Sequence, residues 1–138
     1  MKKKNQGFTL LEIIIVIIIV GVLASLALPK FFGAIEYSRA TEALSSLQLL
    51  RSAEERCYLQ TTNYLLCQAL TDLDVGDPGT AVNAHFTYTI AATSGTGGFT
   101  LTASRNVIDG GATSDWIKLQ QTSTTVIKTG TGAFGGIK

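Results

Sequence analysis

The chain begins with an apolar run, residues 8–28, that contains a single charged side chain, Glu12. A helix of about 21 residues spans roughly 31 Å, which is close to the hydrocarbon thickness of a bilayer. The run includes consecutive β-branched residues at positions 13–20 that favour a strand in water. In lipid, however, every backbone group must be hydrogen-bonded within its own segment. The pattern therefore predicts a transmembrane helix.

Beyond Pro29 the pattern becomes amphipathic, because apolar residues recur every three or four positions with one seven-residue step. The apolar stripe consists of Tyr37, Ala40, Leu44, Leu47, Leu50 and Cys57. This spacing is typical of a helix with one buried face. We therefore expect one helix from Phe8 to about Tyr58, with its second half packed on a domain. Pro29 removes a backbone donor, so it either kinks this helix or ends it.

The rest of the chain has the alternation of β-strands, after turn-prone residues at 60–63 and 72–79. Expected loop anchors are Tyr64, Leu65, Leu66, Leu70 and Leu73. The strands are expected at residues 84–90, 99–104, 116–121 and 124–129, with a hairpin turn at 95–98. This predicts an α+β fold in which a three- or four-stranded antiparallel sheet covers the helix stripe. The tail, residues 130–138, is expected to be loose or a surface strand.

Composition excludes a disordered chain, because 46% of the 138 residues are hydrophobic and 15% are charged. The formal net charge is +1, but Lys2, Lys3 and Lys4 all precede the apolar run. Without residues 1–7 the net charge becomes −2, which argues against direct nucleic-acid binding. The same lysines predict a cytoplasmic N-terminus and an exported chain after Pro29.

Glu12 is the residue that an ordinary targeting segment does not explain. A signal peptide would use the small-residue pattern at Ser25, Leu26 and Ala27 for cleavage, and a plain membrane anchor would need no acid at all. A carboxylate within a membrane span costs several kcal/mol unless it is paired, so it indicates a function.

Residues 4–12, Lys-Asn-Gln-Gly-Phe-Thr-Leu-Leu-Glu, resemble the prepilin cleavage and methylation motif of type IV pilins and type II secretion pseudopilins. The resemblance implies that a membrane peptidase cuts between Gly7 and Phe8 and methylates the new N-terminal Phe8. It also places Gly21 and Pro29 where the family has its helix-loosening glycine and its proline. The implied segments are a leader at 1–7, a transmembrane and filament-core helix at 8–29, and a globular part at 30–138.

The resemblance also assigns a role to Glu12. In this family the acid pairs with the terminal amine of a neighbouring subunit, so two groups that are costly alone in an apolar bundle neutralise each other in one register. The segment between Gly21 and Pro29 is expected to melt in the assembled filament.

The implied function is that of a structural subunit, a pilin, in a homo-oligomeric helical filament. Before assembly the subunit would lie in the bacterial inner membrane, in contact with lipid and with its C-terminus in the periplasm, and afterwards in a cell-surface pilus. Implied partners are the prepilin peptidase, the inner-membrane assembly platform with its ATPase, and minor pilins. Two alternatives remain open: a type II secretion pseudopilin, and a monomeric membrane-anchored or secreted periplasmic binding module.

The two cysteines, Cys57 and Cys67, are predicted to form a disulfide. Their spacing does not match a redox or zinc motif, and both lie on the exported side, where disulfides persist. The chain is expected to reverse between them, so a bridge would tie the end of the helix to the following loop. Two buried free thiols are the alternative.

No catalytic, cofactor or metal site is predicted, so we do not expect an enzyme. His85 falls on the polar face of a candidate strand and is interpreted as a surface residue. Calcium could in principle bind acidic loop residues, but their spacing matches no recognisable loop, and we interpret them as solvated turn residues. These are Asp72, Asp74, Asp77, Asp109 and Asp115.

Overall fold

The computed structural model describes residues 7–93 and 97–137. Most of the predicted leader, including Lys2, Lys3 and Lys4, lies outside the described residues, as do Gly95 and Thr96 of the expected hairpin turn and the side chain of Asp109. The chain divides into two compact units, residues 1–35 and residues 36–138.

A single helix, α1 (Leu10–Thr61), confirms the expected long helix and continues through Pro29 without a break. It begins with a capping box: the Thr9 hydroxyl oxygen accepts the Glu12 N–H at 3.2 Å, and the Glu12 carboxylate accepts the Thr9 N–H at 2.8 Å. It ends where Thr62 adopts a left-handed backbone with φ of 57°. A β-branched residue is strained in that region, so Thr62 marks a sharp end to the helix.

The second unit contains a four-stranded antiparallel meander, which confirms the α+β prediction. Its strands are β1 (Phe86–Thr93), β2 (Gly98–Arg105), β3 (Trp116–Gln121) and β4 (Val126–Gly130). They lie in the order β1-β2-β3-β4. In the register of the sheet, Tyr88 pairs with Ala103, and Ala103 pairs with Ile117, so these three residues share one face.

The hydrophobic core of this unit joins α1 to that face of the sheet. The helix contributes Leu47 and Leu50, and every second residue of β2 and β3 is buried; these are Phe99, Leu101, Ala103, Arg105, Ile117 and Leu119. Ala40 is buried as predicted, but Tyr37 is 76% exposed, so its inclusion in the stripe was wrong. Tyr37 lies one turn before Ala40, the first buried residue of the helix. At Tyr37 the helical spacing of apolar residues continues, but no described part of the domain buries the side chain.

The segment between α1 and β1 is only partly anchored as predicted. Leu73 is buried, and Tyr64 and Leu70 pack against the core, whereas Leu65 and Leu66 are exposed. In the 3₁₀ turn Tyr64–Leu66, side chains three positions apart lie on the same side. Tyr64 and Cys67 therefore face the core, and the two leucines between them point to solvent.

The C-terminal tail is more ordered than the sequence suggested. Phe134 belongs to a short 3₁₀ turn, is only 2% exposed, and lies with its ring 5.7 Å from that of Phe86. A Cβ at Gly130 would stand 2.2 Å from the Phe134 carbonyl oxygen, so this close return of the chain requires a glycine. The expectation of a loose tail or surface strand was therefore wrong.

Candidate assembly site

The N-terminal half of α1 presents its apolar side chains outward. Among the described residues, α1 is the one helix that is long and apolar enough to cross a membrane, and none of its apolar window is buried. Aliphatic side chains from Leu10 to Leu28 are exposed along the whole segment. A contiguous apolar surface of this extent requires lipid or other protein chains around it.

Glu12 lies at the start of this apolar segment, in the first turn of α1. Its carboxylate accepts hydrogen bonds from the Thr9 hydroxyl at 2.7 Å and from the Thr9 N–H. These bonds neutralise none of its negative charge, and no cation among the described residues forms an ion pair with it. Among the described residues, the segment therefore carries one carboxylate without a positive partner.

Gly7 and Phe8 precede the helix, in backbone without regular structure. Phe8 is 86% exposed, and the space around Gly7 is open. A peptidase can bind exposed backbone that is not part of a helix or strand, so the geometry is compatible with cleavage between these residues.

Gly21 and Pro29 both lie inside α1, which is helical at both positions. Nothing else approaches the space where a Cβ of Gly21 would lie. Glycine weakens a helix because of its backbone freedom, and proline removes one hydrogen bond. Melting between them on assembly stays a prediction.

The predicted disulfide is confirmed. Cys57, in the last turns of α1, is bonded to Cys67, just after the 3₁₀ turn Tyr64–Leu66, with 6.2 Å between their Cα atoms. The alternative of free thiols is thereby excluded. The bridge closes the loop that contains the strained Thr62.

The acidic loop residues have structural partners. Asp74 forms a two-pronged ion pair with Arg56 at 2.7 Å, Asp77 accepts the Gly79 N–H, and Asp72 accepts the Ala69 N–H. In the part of the chain that the structure describes, no three potential ligands cluster as a metal site. His85 is half-buried and directly precedes β1, so it does not lie on the polar strand face as predicted.

Two buried charged residues were missed by the sequence analysis. Arg105 is 1% exposed, and it donates to both Glu36 carboxylate oxygens, at 3.4 and 3.5 Å, and to the His85 carbonyl at 3.1 Å. Burial raises the pKa of Glu36, but the guanidinium groups of Arg105 and Arg39 outweigh it and lower that pKa overall. In β2 every second side chain points into the core, and Arg105 occupies one of these positions. This alternation was the sequence signal for its burial.

The second of these residues, Glu54, is completely buried in α1. Burial, and to a lesser extent the nearby Asp72 carboxylate, raise the pKa of Glu54 to about 7. Its position four residues after Leu50 places it beside the apolar stripe, which was the only sequence signal for its burial.

Comparison with known proteins gives two family matches. A family described as "Type IV minor pilin ComP, DNA uptake sequence receptor" matches residues 29–115, and one described as "Prokaryotic N-terminal methylation motif" matches residues 2–28. The chain is 32% identical to the type IV major fimbrial protein FimA of Dichelobacter nodosus over 67% of this chain and 69% of that protein.

The chain is also similar to type II secretion proteins. It is 35% identical to the type II secretion system core protein G of Aeromonas hydrophila, over 58% of this chain and 56% of that protein. Its identity to the core protein G of Escherichia coli K12 is 43%, over 44% of this chain and 42% of that protein. No solved structure matches the chain.

Proposed function

This chain belongs to the type IV pilin family and is a structural subunit of a pilus-like filament, and we propose that it is assembled into that filament through Glu12 and its exposed apolar helix. The proposal rests on the Glu12 carboxylate, which has no cationic partner among the described residues and lies at the start of an apolar segment whose described side chains are unburied. In a monomeric binding module, this carboxylate would serve only to cap α1.

Processing comes first in the proposed sequence of events. The prepilin peptidase would remove the leader, residues 1–7, by cutting between Gly7 and Phe8, and would methylate the Phe8 amine. The methylated amine remains cationic and lies one helical turn from Glu12. Lys2, Lys3 and Lys4 favour a cytoplasmic position for the leader, so that the globular part, within residues 30–138, would lie in the periplasm.

Assembly then exchanges one apolar environment for another. Residues 8–29 would leave the lipid and pack among the same segments of other subunits, including minor pilins, so burial of apolar surface changes little. The net driving force is small for this reason, and we expect an inner-membrane platform and its ATPase to supply the work. The pairing of Glu12 with a neighbour's terminal amine would select one axial register, which is the best-supported role of buried ion pairs.

A pilus subunit is favoured over a pseudopilin by the extent of the similarity. The match to the fimbrial protein covers 69% of that protein, whereas the match to the Aeromonas core protein G covers 56%. The family match at residues 29–115 also describes a minor pilin and includes most of the globular unit. A pseudopilin remains compatible with the N-terminal segment, which both groups share.

A second candidate function is DNA binding by the filament. It is favoured by the description of the matching family as a DNA uptake sequence receptor. The sheet offers two partly exposed lysines, Lys118 and Lys128, with Lys118 stacked 4.2 Å from the ring centre of Trp116. The net charge of −2 after loss of the leader opposes it, because nonspecific attraction to phosphate would be weak.

One preparation tests both functions. Shearing cells that express the chain should release long fibres rich in it, and deletion of its gene should remove them. Absence of such fibres, with loss of enzyme secretion in the deletion strain, would instead identify a pseudopilin. The second function would be supported if the washed fibres retain labelled duplex DNA and fibres with Lys118→Gln and Lys128→Gln do not. If wild-type fibres do not retain the DNA, only the structural function remains.

A further inference from the structure

Glu54 occupies an unusual environment for a carboxyl group. It is completely buried, the Asp72 carboxylate of the segment after the disulfide is close enough to repel it, and neither carboxylate oxygen accepts a hydrogen bond from the described residues. A buried carboxylate normally has such partners, because its desolvation is costly. This side chain therefore destabilises the closed structure whenever it is ionised.

The cations closest to Glu54 along α1 are engaged elsewhere. Arg51 bonds Gln121 at 2.5 Å and Glu55 at 3.1 Å, and Arg56 bonds Asp74. The groups that face Glu54 from the following segment are the Asp72 carboxylate, which repels it, and the Tyr64 phenol. Burial raises the pKa of Tyr64 above its usual value, so that phenol is uncharged at neutral pH.

The segment after Cys67 is attached to the rest of the unit at a few points. The disulfide fixes it at Cys67, Leu73 is its buried anchor, and Leu70 and Val75 are partly buried against the core. The Arg56–Asp74 pair is largely exposed and for that reason contributes little. An open cleft of about 160 Å³ lies where the segment meets α1; it is lined by Ala53, Arg56, Cys57 and Gln60 of α1 and by Asp72, Leu73 and Asp74, but not by Glu54.

We propose that Glu54 is a pH-dependent latch: its neutral carboxyl group allows residues 68–77 to close on α1, and its ionisation releases them. The tether at Cys67 remains in place, so the movement is confined to the residues that follow it. Because Glu54 is fully buried and is not part of the cleft lining, its carboxylate reaches water only when these residues move away from α1. The latch changes the surface that the globular unit presents without unfolding the sheet.

The direction of the pH effect follows from linkage. In the open form Glu54 is an exposed glutamate of α1 with a pKa near 4.5, whereas in the closed form its pKa is raised to about 7. Protonation of Glu54 therefore stabilises the closed form to its full extent below pH 4.5, and this stabilisation is lost as the pH rises to about 7. Over this window the opening equilibrium constant rises about tenfold per pH unit, and it is constant above it.

The test is hydrogen exchange measured by mass spectrometry on the processed full-length chain in detergent micelles. After correction for the intrinsic chemical rate, exchange in residues 68–77 should rise about 100-fold from pH 5 to pH 8. Glu54→Gln, which cannot ionise, should remove this rise, and the matched control Glu42→Gln, an exposed glutamate of the same helix, should keep it. Asp72→Asn keeps an acceptor for the Ala69 N–H and removes only the repulsion, which lowers the pKa of Glu54 in the closed form. The rise should therefore be smaller than in the wild type and should level off at a lower pH.

Two results would overturn the latch. One is wild-type exchange in residues 68–77 that does not change with pH, a measurement that needs no variant. The other is a pH-dependent rise that persists in Glu54→Gln. Both are measured on separate subunits in micelles, so neither depends on whether the chain forms a pilus.

Discussion

Replacing Glu12 by alanine is expected to abolish filament formation by the variant subunit and to leave cleavage after Gly7 intact. The structure places the carboxylate in an apolar segment without a cationic partner among the described residues. If a neighbour's terminal amine supplies that partner, removal of the Glu12 carboxylate leaves this amine as an uncompensated cation in the filament core. Breaking a buried pair in this way costs about 3–5 kcal/mol, and the loss recurs at every subunit.

The control for this experiment must separate charge from helix capping, because Glu12 also forms the capping box with Thr9. Glutamine serves in a capping box as well as glutamate does, but it is neutral. Glu12→Gln should therefore cap α1 and still fail to assemble, while Glu42→Ala should assemble normally. Fibres of normal length from Glu12→Gln alone, seen by electron microscopy of sheared material, would mean that the acid acts only as a cap.

Removing the disulfide is expected to lower the free energy of unfolding of the globular unit by about 3 kcal/mol. The bridge joins residues ten positions apart and so restricts the unfolded chain. It also closes the turn at Thr62, whose φ of 57° is unfavourable for threonine. The double variant Cys57→Ala/Cys67→Ala avoids a new hydroxyl at the fully buried Cys67 position.

The measurement is denaturant unfolding of the full chain in detergent, followed by the fluorescence of its single tryptophan, Trp116. Wild-type chain treated with reductant should unfold at the same concentration as the double variant, which controls for side effects of the alanines. An unchanged midpoint in both samples would show that the loop is held by its packing and not by the bridge.

The long helix and the sheet could be predicted because their signals are local. Apolar residues at helical spacing and alternation in the strands depend only on neighbours in sequence. The errors concern residues whose environment depends on distant parts of the chain. Tyr37 continues the helical spacing but lies before the packed region, and Phe134 is buried because the tail returns to Phe86. Neither fact is encoded in local periodicity.

The candidate site was predictable in a different way. Gly7, Phe8 and Glu12 were found because a short motif resembles that of a known family, and a lone acid in an apolar run is conspicuous. Arg105 and Glu54 were missed because the sequence alone does not show which residues surround a charged side chain in the fold. Arg105 is hydrogen-bonded to Glu36, 69 positions away, and Glu54 lies near Asp72 of the segment after Cys67.

The N-terminus of the natural chain, determined by mass spectrometry on sheared surface filaments, tests the central claim most directly. Filament assembly through Glu12 requires each subunit to offer its neighbour a free cationic N-terminal amine, so the chain should begin with N-methylated Phe8. A chain that still begins at Met1, or one that has been trimmed to a start beyond residue 27, would contradict assembly through this segment.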